Sequence, residues 1–383
     1  MTIRIVLGVT FGIYLILSAT RPMISLYAAS LGANTLDVGL LAAVYALLPL
    51  LLAMHVGKLS DVIGDRLPVV MGSAGMAIGL ALPFAVQSLW ALYLTQIIVG
   101  VSQLLCMVSV QNLIGKISTV ENRDHQFAIF TLSASVGNLI GPVCGGYLAD
   151  QYSYAVAFLV AGVGGVVPVL LGFFLPSIKG GAKSLVKQSS VLYFLKNPAI
   201  RHAMVTSALV LYSRDIFIVY FPLFASEAGL SGTTIGWIIS IQAFAQIVVR
   251  FLLARLCEMF GRNVVLFVSI LTAGAAFLLM PMTTEVWVLG LLSGLMGFGL
   301  GCGQPLSIST TYSASPKDRT GEVLGLRLAV NRFSQLIAPV FFGALGASGG
   351  LVLVFYVSGV FLMGGAWLSR EKKNQKPPAG DQE

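Results

Sequence analysis

Twelve stretches of about 20 apolar residues run through this chain, each closed by a short polar or Gly/Pro-bearing turn. Crossing a bilayer takes roughly 20 such residues, or about 30 with a turn, and 383 residues hold about twelve such units. Open sheets are excluded because lipid cannot satisfy their edges. Stretches this long, without alternation, are not barrel strands. Composition points the same way: 57% of residues are hydrophobic and 10% charged, against about 25% charged in a soluble domain. So little charge cannot cover a water-facing surface. An ordinary soluble enzyme, a disordered chain and a disulfide scaffold are therefore excluded. The sequence predicts an all-α integral membrane protein with spans at 4–31, 36–57, 68–87, 89–115, 125–149, 154–175, 200–226, 233–254, 263–282, 286–312, 322–347 and 350–369.

The first stretch runs past a signal-like Ser18-Ala19 to Leu31, too long for a cleaved leader, and is expected to be retained. Cys106, Cys144, Cys257 and Cys302 all lie in or beside apolar segments, with no CxxC pair and three histidines in the chain. Neither a disulfide framework nor a zinc site is expected, and no other cofactor is implied.

Charge sets the orientation. Of 23 Lys and Arg, five fall well inside spans (Arg21, Arg214, Arg250, Arg327, Arg332), and the other 18 lie at span ends and connections on one side, among them Lys58, Arg66, Lys116, Arg255 and Arg262. The opposite connections carry the acids Asp37, Asp150, Glu227 and Glu285. This asymmetry predicts that both termini are cytoplasmic and that the chain sits in the cytoplasmic (inner) membrane. The segment 176–199, with Lys179, Lys183, Lys187 and Lys196, reads as a basic linker against the anionic inner leaflet. The net charge of +8 is thus topology and lipid contact, and nucleic acid is not an expected partner.

A constant offset of 197 residues superposes the two halves: Tyr27 on Phe224, Gly39 on Gly236, Gly64 on Gly261, Trp90 on Trp287, Gly100 on Gly297, Pro142 on Pro339, Gly146 on Gly343 and Gly162 on Gly359. One ungapped offset of that length indicates two homologous units. The expected organisation is a six-helix bundle at 1–175, the linker at 176–199, a second bundle at 200–370 and a cytoplasmic tail at 371–383. Repeats of this kind suggest a transporter with its site between the halves near the midplane.

With these motifs on the page, the chain resembles the major facilitator superfamily, within it the twelve-helix drug and metabolite exporters. Gly57-Lys58-Leu59-Ser60-Asp61-Val62-Ile63-Gly64-Asp65-Arg66 is similar to the family's signature between helices 2 and 3, and Ala254 to Arg262 is a degenerate copy in the second half. The resemblance implies that Gly57 admits a close helix and that Asp61 faces the N-terminus of helix 11, latching the cytoplasmic side. Gly64 and Arg66 belong to the same gate. Gly137, Gly141, Pro142, Gly145 and Gly146 match the helix 5 pattern of exporters, whose small residues let another helix lie close. Their counterparts Ser334, Ala338 and Phe342 do not repeat it. Three positions depart from the family: Val62 and Asp65 stand where basic residues are usual, and Gln96 replaces the helix 4 arginine that exporters associate with proton coupling.

Ionisable groups inside a membrane are functional candidates by default. Five arginines face one clear carboxylate within the spans, Asp215, which does not suit a cation. Arg21 and Arg214 lie near mid-span on pseudo-equivalent helices 1 and 7, which the resemblance places around a central cavity. Two guanidiniums there would clamp a carboxylate, phosphate or sulfonate. Asp215 is the candidate proton acceptor, or else the neutralising partner of an arginine on another helix. Gln242, Gln246 and Arg250 form one i, i+4, i+8 stripe, and Arg327, Asn331 and Gln335 another; Arg332 points about 100° from Asn331, so one of the two arginines on that helix serves structure. Tyr14, Tyr45, Gln111 and Asn138 are further candidate cavity residues, and Trp90 and Trp287 read as interface anchors. The expected function is secondary active transport of a small organic anion or amphiphile by alternating access. Export, coupled to H+, leads; uptake of an anionic nutrient and a non-transporting sensor are the alternatives. The expected unit is a monomer. No catalytic constellation or nucleotide loop is present in the sequence, so an enzyme is not expected.

Overall fold

The computed structural model describes residues 2–119, 122–178, 191–315 and 320–368, the side chains of 53, 54, 57, 58, 61, 123, 124, 191–193, 320–322 and 368 excepted. The side chains of Gly57 and Asp61, the linker residues 179–190 and the tail 371–383 lie outside the described residues. Within them the protein is all helical: α1 (Thr2–Ser30), α2 (Thr35–Ile63), α3 (Arg66–Ala85), α4 (Leu89–Ile117), α5 (Arg123–Gln151), α6 (Tyr154–Gly164), α7 (Val166–Phe173), α8 (Pro198–Glu227), α9 (Gly232–Phe260), α10 (Arg262–Leu279), α11 (Val286–Ala314) and α12 (Thr320–Leu368). Eleven helical segments among the described residues are long and apolar enough to cross a membrane, α6 and α7 counting as one.

The helices run longer than the apolar stretches predict. A 29-residue helix such as α2 is about 44 Å long, enough to carry its polar last turns beyond the hydrocarbon into the headgroup zone. Two predicted spans are drawn differently. The 154–175 stretch is divided at Gly165, whose N–H reaches the carbonyls of Ala161, Gly162 and Val163 in a tightened turn. The stretches at 322–347 and 350–369 join into the 49-residue α12, interrupted where Gly350 takes φ +78°. Only glycine adopts that conformation readily, so the chain turns back there without a polar loop.

Helix starts follow local chemistry. Asn34 and Asp37 form a reciprocal capping box on α2, Asn34 Oδ1 accepting from the Asp37 N–H and Asp37 Oδ2 from the Asn34 N–H. Ser88, Ser153 and Ser231 cap α4, α6 and α9 through their hydroxyls. These starts share one end of the molecule with Asp37, Asp150, Glu227 and Glu285, here termed the acidic end; Arg66, Lys116, Arg201, Arg255 and Arg262 mark the basic end. Trp90 and Trp287, in the first turns of α4 and α11, are 83% and 89% exposed, as anchors at a lipid–water boundary are.

Helices α1–α7 pack chiefly on one another, and so do α8–α12. The groups meet along α2 with α12, α5 with α9, and α1 with α8. The first two contacts are backbone to backbone. A Cβ on Gly146 would overlap the Gly232 carbonyl, and one on Gly236 the Pro142 carbonyl; on the other flank a Cβ on Gly39 would overlap the Pro339 carbonyl. All of these lie toward the acidic end. At the basic end a Cβ on Gly115 of α4 or Gly325 of α12 would meet nothing within 4 Å.

The glycine face of α5 has the partner its spacing calls for, α1. Cβ atoms on Gly137 and Gly141 would stand 2.8 Å from the Leu15 nitrogen and 2.6 Å from the Leu15 oxygen, and one on Gly145 would overlap the Ala19 carbonyl. At the equivalent place in α12, where glycine is replaced, Phe342 stacks on Tyr212 of α8 with ring centroids 5.7 Å apart. Aromatic packing there fills the space that backbone contact closes in α5.

Candidate functional site: charged groups at the junction of the two helix groups

Arg21 of α1 reaches across to α8. Its Nη1 lies 3.6 Å from Asp215 Oδ1, and its guanidinium carbon stands 4.6 Å from the centre of the Tyr45 ring of α2. The aromatic face and the carboxylate together offset the cost of holding a cation away from bulk water. Tyr45 is held in turn, its hydroxyl donating to Gln103 Oε1 of α4. The other Asp215 oxygen, Oδ2, accepts from Gln335 Nε2 at 2.8 Å, and Gln335 Oε1 accepts from Arg332 Nη1 at 3.0 Å. This amide orientation satisfies both neighbours; the flipped one would set donor against donor. The result is a continuous chain from α2 and α1 through Asp215 to α12, joining both helix groups.

Two cavities flank Arg21. The first, about 60 Å³, lies between α1, α5, α8 and α9 and is lined by Ser18, Arg21, Asn138, Arg214, Gln242, Gln246 and Arg250 among others. The second, about 30 Å³, lies toward α2, α4 and α12 and includes Tyr45, Gln96, Asp215 and Gln335 with Val38, Ala42, Ala46 and Val219. Arg21 and Ile218 line both. As the helices stand, each has room for little more than a few waters. The Ser18 hydroxyl donates to Asn138 Oδ1 at 2.5 Å, fixing that amide at the first cavity's wall.

The predicted residues therefore divide. Arg21, Arg214, Asn138, Gln242 and Gln246 line the first cavity; Tyr45 and Asp215 line the second; Arg332 joins through Gln335. Asn331 and Gln111 line neither cavity. Asn331 is buried in its own group, where Oδ1 accepts from the Ser207 hydroxyl at 2.8 Å, and Gln111 is an exposed residue of α4. The second polar stripe is thus split. Positions four apart drift about 40° around a helix, so Gln335 faces the junction while Arg327 and Asn331 turn inward. Arg327, 4% exposed, donates to Gln304 Oε1 at 2.5 Å and to the Ser307 hydroxyl at 3.1 Å. Of the two α12 arginines, Arg332 belongs to the junction and Arg327 to internal packing.

Two connections are not apparent from motif reading. Asp150, at the end of α5, crosses to the start of α9: Oδ1 accepts from the Gly232 N–H at 2.8 Å, and Oδ2 from the Thr233 N–H at 2.7 Å and its hydroxyl at 2.6 Å. A carboxylate there also meets the positive end of the α9 dipole. At the basic end, Asp65, the departure from the family signature, is fully buried. It accepts from Ser60 Oγ at 2.7 Å, Asn112 Nδ2 at 2.9 Å and Lys116 Nζ at 2.8 Å, and Lys116 also donates to the Ile178 carbonyl at 2.8 Å. This cluster binds the α2–α3 turn, α4 and the start of the linker together. Of the remaining gate residues, Gly64 takes φ +87° in the α2–α3 turn, and the Arg66 guanidinium lies 5.8 Å from the Phe173 ring centre. Among the described residues no cluster of three or more His, Cys, Asp or Glu is placed to hold a metal ion.

Comparison with known proteins bears on this arrangement. The chain is 24% identical over 360 residues to an uncharacterized MFS-type transporter of Methanocaldococcus jannaschii, covering 92% of this chain and 93% of that one. It is 24% identical over 379 residues to the multidrug resistance protein MdtG of Dickeya zeae, covering 94% and 92%. Among solved structures, the nucleoside transporter NupG superposes with a TM-score of 0.81 at 13% identity over 96% of this chain and 99% of that one. The profile of the Major Facilitator Superfamily matches residues 6–230 and again 203–383. An all-helical membrane protein with its charged groups gathered where two helix groups meet, matched over nearly its whole length, this chain belongs to the Major Facilitator Superfamily of transporters.

Proposed function

We propose that the protein is a secondary transporter that moves a small organic anion or anionic amphiphile by rocking two six-helix halves, 1–175 and 200–370, about the Arg21–Asp215 junction. The observation that carries the reading is that pair itself: an arginine of one half and a carboxylate of the other, 3.6 Å apart, between two cavities. Counting the arms of α12 on either side of Gly350 as two spans gives twelve. The offset of 197 supports the two-fold relation, because contacts recur with it as well as residues: Gly100 crowds the Tyr45 carbonyl as Gly297 crowds that of Gln242.

With the basic end cytoplasmic, both termini and the linker 176–199 lie inside, and the acidic end faces outward. The cross-group contacts of Gly39, Gly146, Gly236 and Asp150 at that end support an inward-facing state, ready to load from the cytoplasm. Export is the direction we assign, supported by the helix 5 glycine pattern and by the similarity to multidrug resistance proteins. Arg21, Arg214, Asn138, Gln242 and Gln246 contact substrate in this reading. Asp215 is the proton-coupling carboxylate, since it alternates between neutralising Arg21 and accepting a proton once an anion takes its place.

The test is flux of labelled organic anions in proteoliposomes, with and without an imposed pH gradient, for the wild type, Arg21→Ala and Asp215→Asn. The expected result is anion flux that Arg21→Ala abolishes and Asp215→Asn uncouples from the gradient. Transport of neutral or cationic compounds alone, unchanged in Arg21→Ala, would overturn the assignment.

A further inference from the structure

The first cavity holds a charge imbalance that the Arg21–Asp215 pair does not remove. Its lining carries the guanidiniums of Arg21, Arg214 and Arg250 and no carboxylate. Asp215, although next to Arg214 in sequence, lines the other cavity and directs its two oxygens to Arg21 and Gln335. Arg214 makes no hydrogen bond or ion pair among the described residues. Arg250 Nε and Gln242 Nε2 are buried without an acceptor, and Gln242 is 2% exposed. Buried donors without acceptors are costly to keep, and here they share one chamber with three positive charges.

One carboxylate supplies a single charge and two acceptor oxygens, enough for Arg21 but not for Arg214 and Arg250 as well. The walls also fit the complementary task. Gln242, Gln246 and Arg250 recur every fourth residue on α9, so they present donors along the chamber's length, opposite Arg21 of α1 and Arg214 of α8. Guanidinium forks match phosphate and carboxylate geometry. We propose that this chamber binds a dianionic group, as in a phosphate monoester or a dicarboxylate, with Arg214 and Arg250 taking the second charge. The inference rests on the reading of the cavity as an anion site and adds the number of charges it accepts.

The test is ligand affinity on the purified full-length protein in nanodiscs, using probes of similar bulk: benzoate, phthalate and phenyl phosphate, with inorganic phosphate and tetraphenylphosphonium alongside. At about pH 7.5, phthalate and phenyl phosphate are expected to bind at least about tenfold tighter than benzoate. Phosphate monoesters lose their second charge near pH 6, so the phenyl phosphate advantage is expected to shrink severalfold at about pH 5 in the wild type, a readout that needs no variant. Arg214→Gln and, independently, Arg250→Gln are expected to bring the phenyl phosphate to benzoate ratio down toward one. Inorganic phosphate binding as tightly as phenyl phosphate, with the same Arg214 dependence, supports a dianion site that ignores the organic part; weaker binding supports an ester site. Equal affinities for benzoate and the dianions, lost together in Arg21→Ala, would overturn the dianion inference and leave the anion reading intact. Binding of tetraphenylphosphonium with no anion binding would overturn both.

Discussion

Gly39 of α2 and Pro339 of α12 approach so closely that a Cβ on Gly39 would overlap the Pro339 carbonyl oxygen. Gly236 of α9 and Pro142 of α5 stand in the same relation, and both members are displaced by the same 197 residues. The two contacts close opposite flanks of the junction at the acidic end. A side chain at either glycine must push the flanks apart, because a backbone carbonyl cannot move aside as a flexible side chain can. Gly39→Val and Gly236→Val are therefore expected to shift the protein toward a state open at the acidic end. Pulsed electron resonance between spin labels at Tyr152 and Glu227, both exposed, measures this. Longer distances with unchanged helix content are expected; a wild-type distribution in both variants would show that the contacts do not set the closed state.

The Asp150 contact closes the same end by a different means. Three donors of α9 converge on one carboxylate of α5, so the interaction exists only while the groups are together there. Loss of a capping carboxylate costs about 0.5–2 kcal/mol, which is roughly a 2- to 30-fold change in the closed-to-open ratio. Asp150→Ala is expected to show that shift in the same distance measurement. Its overall thermal stability should change little, since each helix keeps its own packing. An unchanged ratio would reduce Asp150 to a local cap.

These two contacts differ in how far the sequence records them. The spans, the charge asymmetry and the constant offset are properties of composition and spacing, and each has a physical cause that acts on the sequence directly. The α5 glycine face is legible for the same reason: three small residues four apart can only mean a close neighbour, and α1 is that neighbour. Asp150 is different. Its role depends on which helix N-terminus lies beside it 82 residues later, and nothing local records that. The α12 stripe misleads in a related way. Arg327, Asn331 and Gln335 look equivalent by spacing, but a 40° drift per step is enough for neighbouring helices to claim the first two. Ser207, Ser307 and Gln304, small or amide residues in apolar surroundings, are the signal that α8 and α11 supply partners for them.

The Arg21–Asp215 pair makes an asymmetric prediction. Arg21→Gln leaves Asp215 with Gln335 and removes one of five intramembrane cations. Asp215→Asn keeps all five and removes the carboxylate that offsets them, leaving Arg21 only its contact with Tyr45. Asp215→Asn is thus expected to be the more destabilising, by about 1–3 kcal/mol, and the double variant to recover part of that loss. Thermal unfolding of the four proteins in one detergent completes the cycle. Additive losses would mean that the 3.6 Å separation carries no coupling.

Arg327 and Arg332, five positions apart on α12, should fail in different ways. Arg327 is 4% exposed and its donors are met by Gln304 and Ser307 of α11, within one helix group, so the interaction does not depend on rocking. Arg327→Met removes two hydrogen bonds and leaves Gln304 Oε1 with only the longer bond from the Ser207 hydroxyl at 3.2 Å, an expected loss of about 1–3 kcal/mol in stability, while the ratio of fluxes between two substrates stays as in the wild type. Arg332 acts through Gln335, holding the amide in the orientation that lets Nε2 face Asp215. Without it the amide is free to flip and offer its oxygen to a carboxylate. Arg332→Gln is therefore expected to leave the unfolding temperature nearly unchanged and to lower transport about 3- to 30-fold, the scale on which a residue that couples two sites acts. Flux and thermal unfolding measured on the same two preparations separate the cases. If Arg332→Gln unfolds early and transports normally once folded, its bond to Gln335 is packing, and the chain from α12 to Asp215 does not take part in the cycle.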